Sequence, residues 1–326
     1  MLAEFFLTPQ SFFGTETELN RLRECLFPMP GNHVPVICHF DKERWERFLS
    51  HRIAQIQDYN RKMLAMELFQ RICDELAVYR PAINGTPSDE NDWIEAARQS
   101  ASDLEFDDII ISQANAECPE ECHRVLEFAS AEYWQQYGNP RLVGRDRQSQ
   151  ATVLKTICAH AHWLIIRMPQ VKGGCDDEIV TIKQIIKLAS QLPQGFKKSD
   201  VFIEIPIPER MERSLGIEEA ANRLMRLVKS ELEEFQSTDC EISISIYPVG
   251  SILAREVVAG EFVELAPNSI DFKARWYLTM NHVAVGGGEA ADRSGGNSWN
   301  LHSRTTATDR FEELRDLGTE IKSEVV

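Results

Sequence analysis

Between Gln150 and Tyr247, short apolar runs alternate three times with longer amphipathic stretches, and this alternation leaves the chain few folds to adopt. The runs are Trp163 to Met168, Val201 to Ile207 and Glu241 to Tyr247; the stretches read as helices are Gln150 to Ala159, Asp176 to Leu192 and Ile217 to Phe235. Trp163 to Ile166 is continuously apolar, as a strand covered on both faces must be. Ile179, Ile182, Ile185, Ile186 and Ala189 fall on one helical stripe, and Ala220, Ala221, Leu224, Leu227 and Val228 repeat it. Strands separated by helix-length crossovers pair in parallel, so an α/β domain with a largely parallel sheet is expected. Ile242, Ile244 and Ile246 alternate with Ser243 and Ser245, which sets that strand towards a sheet edge.

At 326 residues the chain is long enough for two domains, each with its own core. The first, residues 1 to 137, reads as a helix-rich α/β domain. Thr15 and Glu18 form a capping box that opens a helix through Leu26, ahead of Pro28, Pro30 and Gly31. Val34 to Phe40 reads as a buried strand, and Glu43 to Ile56 and Arg61 to Ala77 as a helical hairpin with Leu64, Leu68, Ile72 and Leu76 on one face. Ser88 is placed to cap a helix carrying Trp93, and Phe106 to Ser112 is the next strand. Residues 138 to 150 lose apolar periodicity and turn polar, which makes them the expected linker; its Arg141, Arg145 and Arg147 are the candidates for a local basic site and are read first as solvated linker charge.

With 35 basic and 51 acidic residues the formal charge is -16, which opposes non-specific coating of duplex nucleic acid and leaves only a local basic site or a partner for such contact. Eight cysteines without CxxC spacing point to free thiols in a reducing, cytoplasmic setting. Cys118, Cys122 and His123 have a ligand-like spacing without the second half of a zinc site, so no metal is expected. Asp107 and Asp108 read as a solvated strand entry, and His33, His39 and His51 lack spaced ligand partners. No run approaches the roughly 20 apolar residues of a membrane span. P-loop, dinucleotide fingerprint, Gly-x-Ser-x-Gly and His-Glu-x-x-His are all missing, so no cofactor is expected.

Phe272 to Gly288, FKARWYLTMNHVAVGGG, adds two apolar runs that end on Gly286, Gly287 and Gly288, where the backbone is free to approach a neighbour closely. Together with the preceding alternation, this segment resembles the phospholipase D-like domain found at the C-terminus of MIT-domain proteins and in bacterial relatives. The resemblance covers about residues 150 to 292, and it implies an α/β sandwich for residues 151 to 292. Lys273, Ala274 and Arg275 stand where that family carries His-Asp-Arg, with Trp276 and Tyr277 as the following aromatics. The opening EFFLTPQSFF is similar in cadence to the leading region of bacterial proteins that carry this domain.

Phospholipase D-type catalysis needs paired His-x-Lys motifs, one imidazole attacking phosphorus while the other protonates the leaving oxygen. This chain has no His-x-Lys. The resemblance therefore implies a non-catalytic binding or assembly subunit of a prokaryotic multiprotein system, of the kind directed against phage or plasmid DNA, with other protein subunits as partners. Two alternatives stay open at this point. One is a divergent phosphodiesterase or nuclease using His160, His162, Lys273 and Arg275. The other is a phosphate- or nucleic-acid-binding module in which Arg275 and the Gly286 to Gly288 backbone hold the anion, unless Arg275 is consumed in an ion pair. Residues 293 to 326 read as a mobile segment, Ser294 to Thr308, followed by a short helix from Asp309 to Leu317.

Overall fold

The opening run Ala3–Leu7, whose Phe5, Phe6 and Leu7 are fully buried, is the central strand β1 of a five-stranded sheet in the computed structural model. The structure describes residues 3–27, 36–40, 42–79, 93, 95–96, 108–111, 122–124, 141–144, 154, 157–158, 160–171, 177–190, 200–236, 240–266, 269–283, 296–302, 304–315 and 320–326. The chain divides into two units, Met1–Asn139 and Pro140–Val326. Both are α/β.

In the first unit β2 (Val36–Phe40), β3 (Ala77–Tyr79), β4 (Asp108–Ile111) and β5 (Cys122–Arg124) join β1 in the order β3-β2-β1-β4-β5. Every pairing is parallel. Three helices supply the crossover mass: α1 (Glu16–Leu26), α2 (Lys42–Ala54) and α3 (Tyr59–Arg71), the last running on into a π-helical turn at Ile72–Leu76. The Thr15 capping box is present, with Glu18 Oε2 accepting from the Thr15 backbone N–H at 2.7 Å. Asp58 caps α3 from the N-cap position itself, its Oδ1 accepting from the Arg61 N–H at 2.9 Å. Trp45 and Trp93 are fully buried among Phe12, Leu22, Leu49 and Leu68, and Trp45 Nε1 donates to the Leu7 carbonyl at 3.0 Å. The apolar opening EFFLTPQSFF thus supplies the end of the sheet's middle strand and the 3-10 turn, Pro9–Phe12, that follows it.

The second unit holds an eight-stranded mixed sheet in the order β13-β9-β8-β7-β10-β11-β12-β6. β7 (Trp163–Arg167), β8 (Asp200–Pro206) and β9 (Glu241–Tyr247) are parallel, and β10 (Arg255–Ala266) and β11 (Ser269–Val283) form a long antiparallel hairpin beside β7. Helices α4 (Asp177–Ala189) and α6 (Ile217–Leu232) carry the two predicted apolar stripes; Ile179, Ile182, Ile186, Ala220, Leu224 and Val228 are all buried. A short helix, α5 (Glu209–Leu215), precedes α6, and Gly216 between them takes φ +76°, a conformation that a Cβ resists. α7 (Arg304–Arg315) lies on β10 and β11, burying Ala307, Phe311 and Leu314 against Trp163, Val258 and Tyr277. β9 lies next to the edge, with β13 (Lys322–Val325) outside it.

Three sequence expectations fail here. The linker segment contains β6 (Arg141–Gly144), and the segment expected to be mobile contains β12 (Gly296–Leu301), which pairs with β11 on one side and β6 on the other. GNSWNL looks too polar to order itself, but Trp299 and Leu301 alternate and are 2% and 6% exposed. Ladder hydrogen bonds to neighbours on both sides supply the rest. The helix that follows begins at Arg304, so Asp309 lies inside it rather than capping it. Amide hydrogens of 297–301 are therefore expected to exchange as slowly as those of β11; exchange at the rate of an unstructured peptide would contradict the strand.

Candidate functional site

Register places one residue from each of seven strands in a polar row across the second sheet. Ser323 faces Ser245, Ser245 faces Glu204, Glu204 faces Arg167, Arg167 faces Glu256, Glu256 faces Thr279, and Thr279 faces Asn300. Side chains alternate along a strand, so Arg167 shares the α7 face with Trp163 and Ile165, and Glu256 shares it with Val258. An apolar layer thus gives way to charge at the carboxyl ends of β7 and β8, the end at which open α/β sheets place their sites.

The centre of the row is deeply buried. Arg167 and Glu256 are 2% and 1% exposed, and Arg167 Nη1 donates to Glu256 Oε1 at 2.8 Å. Arg167 Nε lies 2.9 Å from Glu204 Oε2, an ion pair rather than a directed hydrogen bond. Arg310 on α7 reaches down to the same carboxylate, Nη2 to Oε1 at 2.7 Å and Nε to Oε2 at 3.1 Å. Tyr277 donates its hydroxyl proton to Glu256 Oε2 at 2.9 Å. Glu256 is thereby gripped by two guanidiniums and a phenol, which fixes α7 on the sheet. Burial alone would raise its pKa, but the hydrogen bonds from Arg310 and Arg167 outweigh burial and hold it low. Glu204 goes the other way: burial raises it, Glu256 adds like charge, and Arg167 compensates only in part. Burial and the neighbouring carboxylates push Tyr247 and Tyr277 up to about 12, so both remain hydroxyl donors at neutral pH.

Beside this cluster, Glu178 at the start of α4 is 2% exposed, accepting from Arg255 Nε at 2.6 Å and from the Gln170 N–H at 2.8 Å. At its other flank His302 stacks on Tyr277 with centroids 4.5 Å apart and shares a hydrogen bond with Thr279 Oγ1 at 3.0 Å. Burial lowers the His302 pKa below its ordinary 6.5, with Glu256 opposing. A histidine with a depressed folded pKa takes its proton first in the unfolded chain, so stability declines as pH falls from 6.5 through the folded value. Glu204, with a raised pKa, has the opposite sign, since stability grows as it is protonated. His302→Gln is expected to lose less stability than wild type between pH 7 and 5 in urea titrations. Identical pH slopes would show that His302 is not a titrating element of this site.

The sequence-selected residues gather at the opposite end of the sheet, around the amino end of β7. His160 is 2% exposed and closed to substrate. His162 is half-buried; its Nδ1 accepts from the Phe262 N–H at 3.2 Å and its ring stacks on Phe262. Lys273 is exposed opposite Glu261, and Arg275 is paired with Glu261 at 2.7 Å. Arg275 is therefore a balanced ion pair, the outcome that removes it as a ready phosphate donor. Gly286, Gly287 and Gly288 lie outside the described residues, as do Asp107, Cys118, Arg145, Arg147 and His33. Sequence reading missed Arg167, Glu204 and Glu256. The available signal was a charge within or at the end of each apolar run, WLIIR, VFIEIP and REVVA, since a charge that the strand buries needs a partner.

The first unit offers its own place for a ligand, the point between β1 and β4 where strand order reverses. A 3-10 turn at Pro9–Phe12 contacts β4 and is wholly buried, with Ser11 Oγ donating to the Thr8 carbonyl at 2.7 Å. The chain's own turn therefore packs where a Gly-rich phosphate loop would otherwise lie. Among the described residues no cluster of three or more His, Cys, Asp and Glu is placed to hold a metal, and no helix is long and apolar enough to cross a membrane.

Two α/β units, one with an all-parallel sheet and one mixed, define the class of protein. No protein-family model matches the sequence, and no curated protein matches it. Among solved structures, TrmBL2, an archaeal chromatin protein described for a novel mode of DNA binding, aligns over 93% of this chain and 92% of its own at 9% identity and a TM-score of 0.24. A histidine-to-glutamine mutant of FprA from Mycobacterium tuberculosis aligns over 84% of this chain and 66% of its own at 9% identity and a TM-score of 0.16. At these scores neither likeness bears on fold or function.

Proposed function

We propose that the chain is a non-catalytic binding and assembly subunit, and that its second unit is a phospholipase D-like domain whose scaffold persists without phosphodiester chemistry. One observation carries this reading. At the carboxyl end of the sheet, Arg167 and Arg310 are matched by Glu204 and Glu256 within ion-pair distance, so the cluster's charge is closed on itself. A phosphodiesterase site needs surplus positive charge directed at phosphate and an imidazole in reach of phosphorus. Here the cations serve carboxylates of the same unit. The net charge of -16 favours basic protein surfaces over nucleic acid as partners.

The biological setting we infer is a prokaryotic multiprotein system acting on foreign DNA, as the family resemblance implies. Purification of the tagged chain from its native host, followed by native mass measurement, tests the assembly reading. Elution with other subunits at fixed stoichiometry is expected, together with a phage- or plasmid-restriction phenotype on deletion. A monomer without such a phenotype would overturn it.

A further inference from the structure

β13 ends the second sheet: it pairs with β9 on one side, and among the described residues no strand pairs with its other side. An edge of this kind offers a row of backbone donors and acceptors to another chain. Val326 donates its N–H to the Ile242 carbonyl at 2.9 Å. Hydrogen-bonded positions alternate along an antiparallel ladder, so Lys322 and Glu324 also bond inward to β9, and the N–H and C=O groups of Ser323 and Val325 point outward. The Val325 side chain is 60% exposed beside them.

The sequence of this edge selects its occupant. About Ser323 the segment complements its own reversal, since apolar Ile321 matches Val325 and Lys322 matches Glu324. Two copies related by a two-fold axis at Ser323 would pair antiparallel, with Ser323 opposite Ser323, Ile321 opposite Val325 and Lys322 opposite Glu324 of the other copy. Ser323 and Val325 are the outward-bonding positions, so the two Lys322–Glu324 pairs fall on the close steps of the ladder, where Cα atoms are about 4.5 Å apart. Registers that keep the outward groups face to face differ by two residues. The adjacent one on either side sets Lys322 on Lys322 or Glu324 on Glu324, and like charges directly opposite are destabilising.

Both charged side chains have room for a second partner. Lys322 Nζ donates to Asn222 Oδ1 at 2.8 Å and lies 2.9 Å from Glu324 Oε1, while Lys229 of α6 donates to Glu324 Oε2 at 2.9 Å. Lys322 and Glu324 nonetheless keep 31% and 35% of their side-chain surface exposed, and an ammonium has three protons and a carboxylate about four acceptor positions. Glu320, Lys322 and Glu324, with Lys229 behind them, balance in sign, so local charge does not oppose a second copy. We infer that β13 pairs with β13 of a second copy of this chain, joining two eight-stranded sheets into one across a two-fold axis. This self-association is separate from the binding of other subunits proposed above, and the pure chain suffices to test it.

Sedimentation equilibrium of the full chain from about 10 μM to about 1 mM covers the affinities of a small edge contact, and about 0.15 M salt screens the like net charge of the two copies. A monomer–dimer equilibrium is expected within that range, with amide exchange at Ser323 and Val325 slowing as the dimer forms. Ser323→Pro removes an outward N–H and leaves the inward ladder to β9 in place, so it is expected to weaken the dimer at least about tenfold. Lys322→Glu and Glu324→Lys each set like charges opposite one another and are expected to weaken it by a similar factor. An equimolar mixture of these two variants is expected to dimerise again, because each then meets the opposite sign across the axis. The mixture also controls for folding, since a variant that had simply lost β13 could not be rescued by its counterpart. A chain that stays monomeric throughout, a dimer indifferent to Ser323→Pro, or a mixture no stronger than the single variants would overturn the proposal.

Discussion

Replacing Glu256 with alanine is expected to destabilise the second unit by about 3 to 5 kcal/mol, the cost of breaking a buried ion pair from one side. The residue removed is 1% exposed and its partner Arg167 2% exposed, so the guanidinium left behind would keep only Glu204. Arg310 would lose its main acceptor and α7 its ionic tie to the sheet, leaving the apolar contacts of Ala307, Phe311 and Leu314. Arg310→Ala should cost clearly less, because Glu256 would still hold Arg167 and Tyr277 and because Arg310 itself is 27% exposed. Urea unfolding followed by hydrogen exchange in β7 and β10 measures both. An equal or smaller loss in Glu256→Ala than in Arg310→Ala would place the keystone elsewhere.

The second large effect belongs to Gly260. β10 shifts register against β11 between Ala259 and Gly260, and the bulge brings the Gly260 backbone against its neighbours. A Cβ there would overlap the Lys273 carbonyl and the Trp163 ring, whose Cε2 would sit 2.8 Å away. Backbone on one side and a fully buried indole on the other leave it nowhere to go. Gly260→Ala is expected to cost at least about 3 kcal/mol, beyond the usual overpacking penalty, and to leave the first unit's melting unchanged. A melt of the second unit within two degrees of wild type would show that the hairpin relaxes.

The alternation of Trp163–Ile166, Val201–Ile207 and Glu241–Tyr247 with two apolar stripes made the parallel core of the second unit readable, because period-2 and period-3.6 patterns report burial directly. The Thr15 and Glu18 capping box was readable for a similar reason, being a local hydrogen-bond pattern with fixed spacing. β6 and β12 were not. Arg141–Gly144 and Gly296–Leu301 carry little apolar weight; they pair with each other across more than 150 positions of sequence, and Gly296–Leu301 pairs on its other side with β11. β1 was read as an apolar opening because a five-residue strand has no turn of its own to announce it. The polar row was hidden for a related reason: Ser323, Ser245, Glu204, Arg167, Glu256, Thr279 and Asn300 become neighbours only through register. Histidines drew attention because imidazoles do chemistry, yet His160 is buried and His162 is turned to the Phe262 backbone.

The proposed non-catalytic role predicts that the chain carries out no phosphodiester chemistry, and one assay bears on that most directly. Pure full-length protein is incubated with end-labelled single- and double-stranded DNA and RNA, with and without divalent metal. The expected result is no cleavage above that of a parallel preparation carrying Arg167→Ala and His302→Ala. Cleavage by wild type that disappears in that variant, or in His160→Ala or His162→Ala, would contradict the account and make the site catalytic.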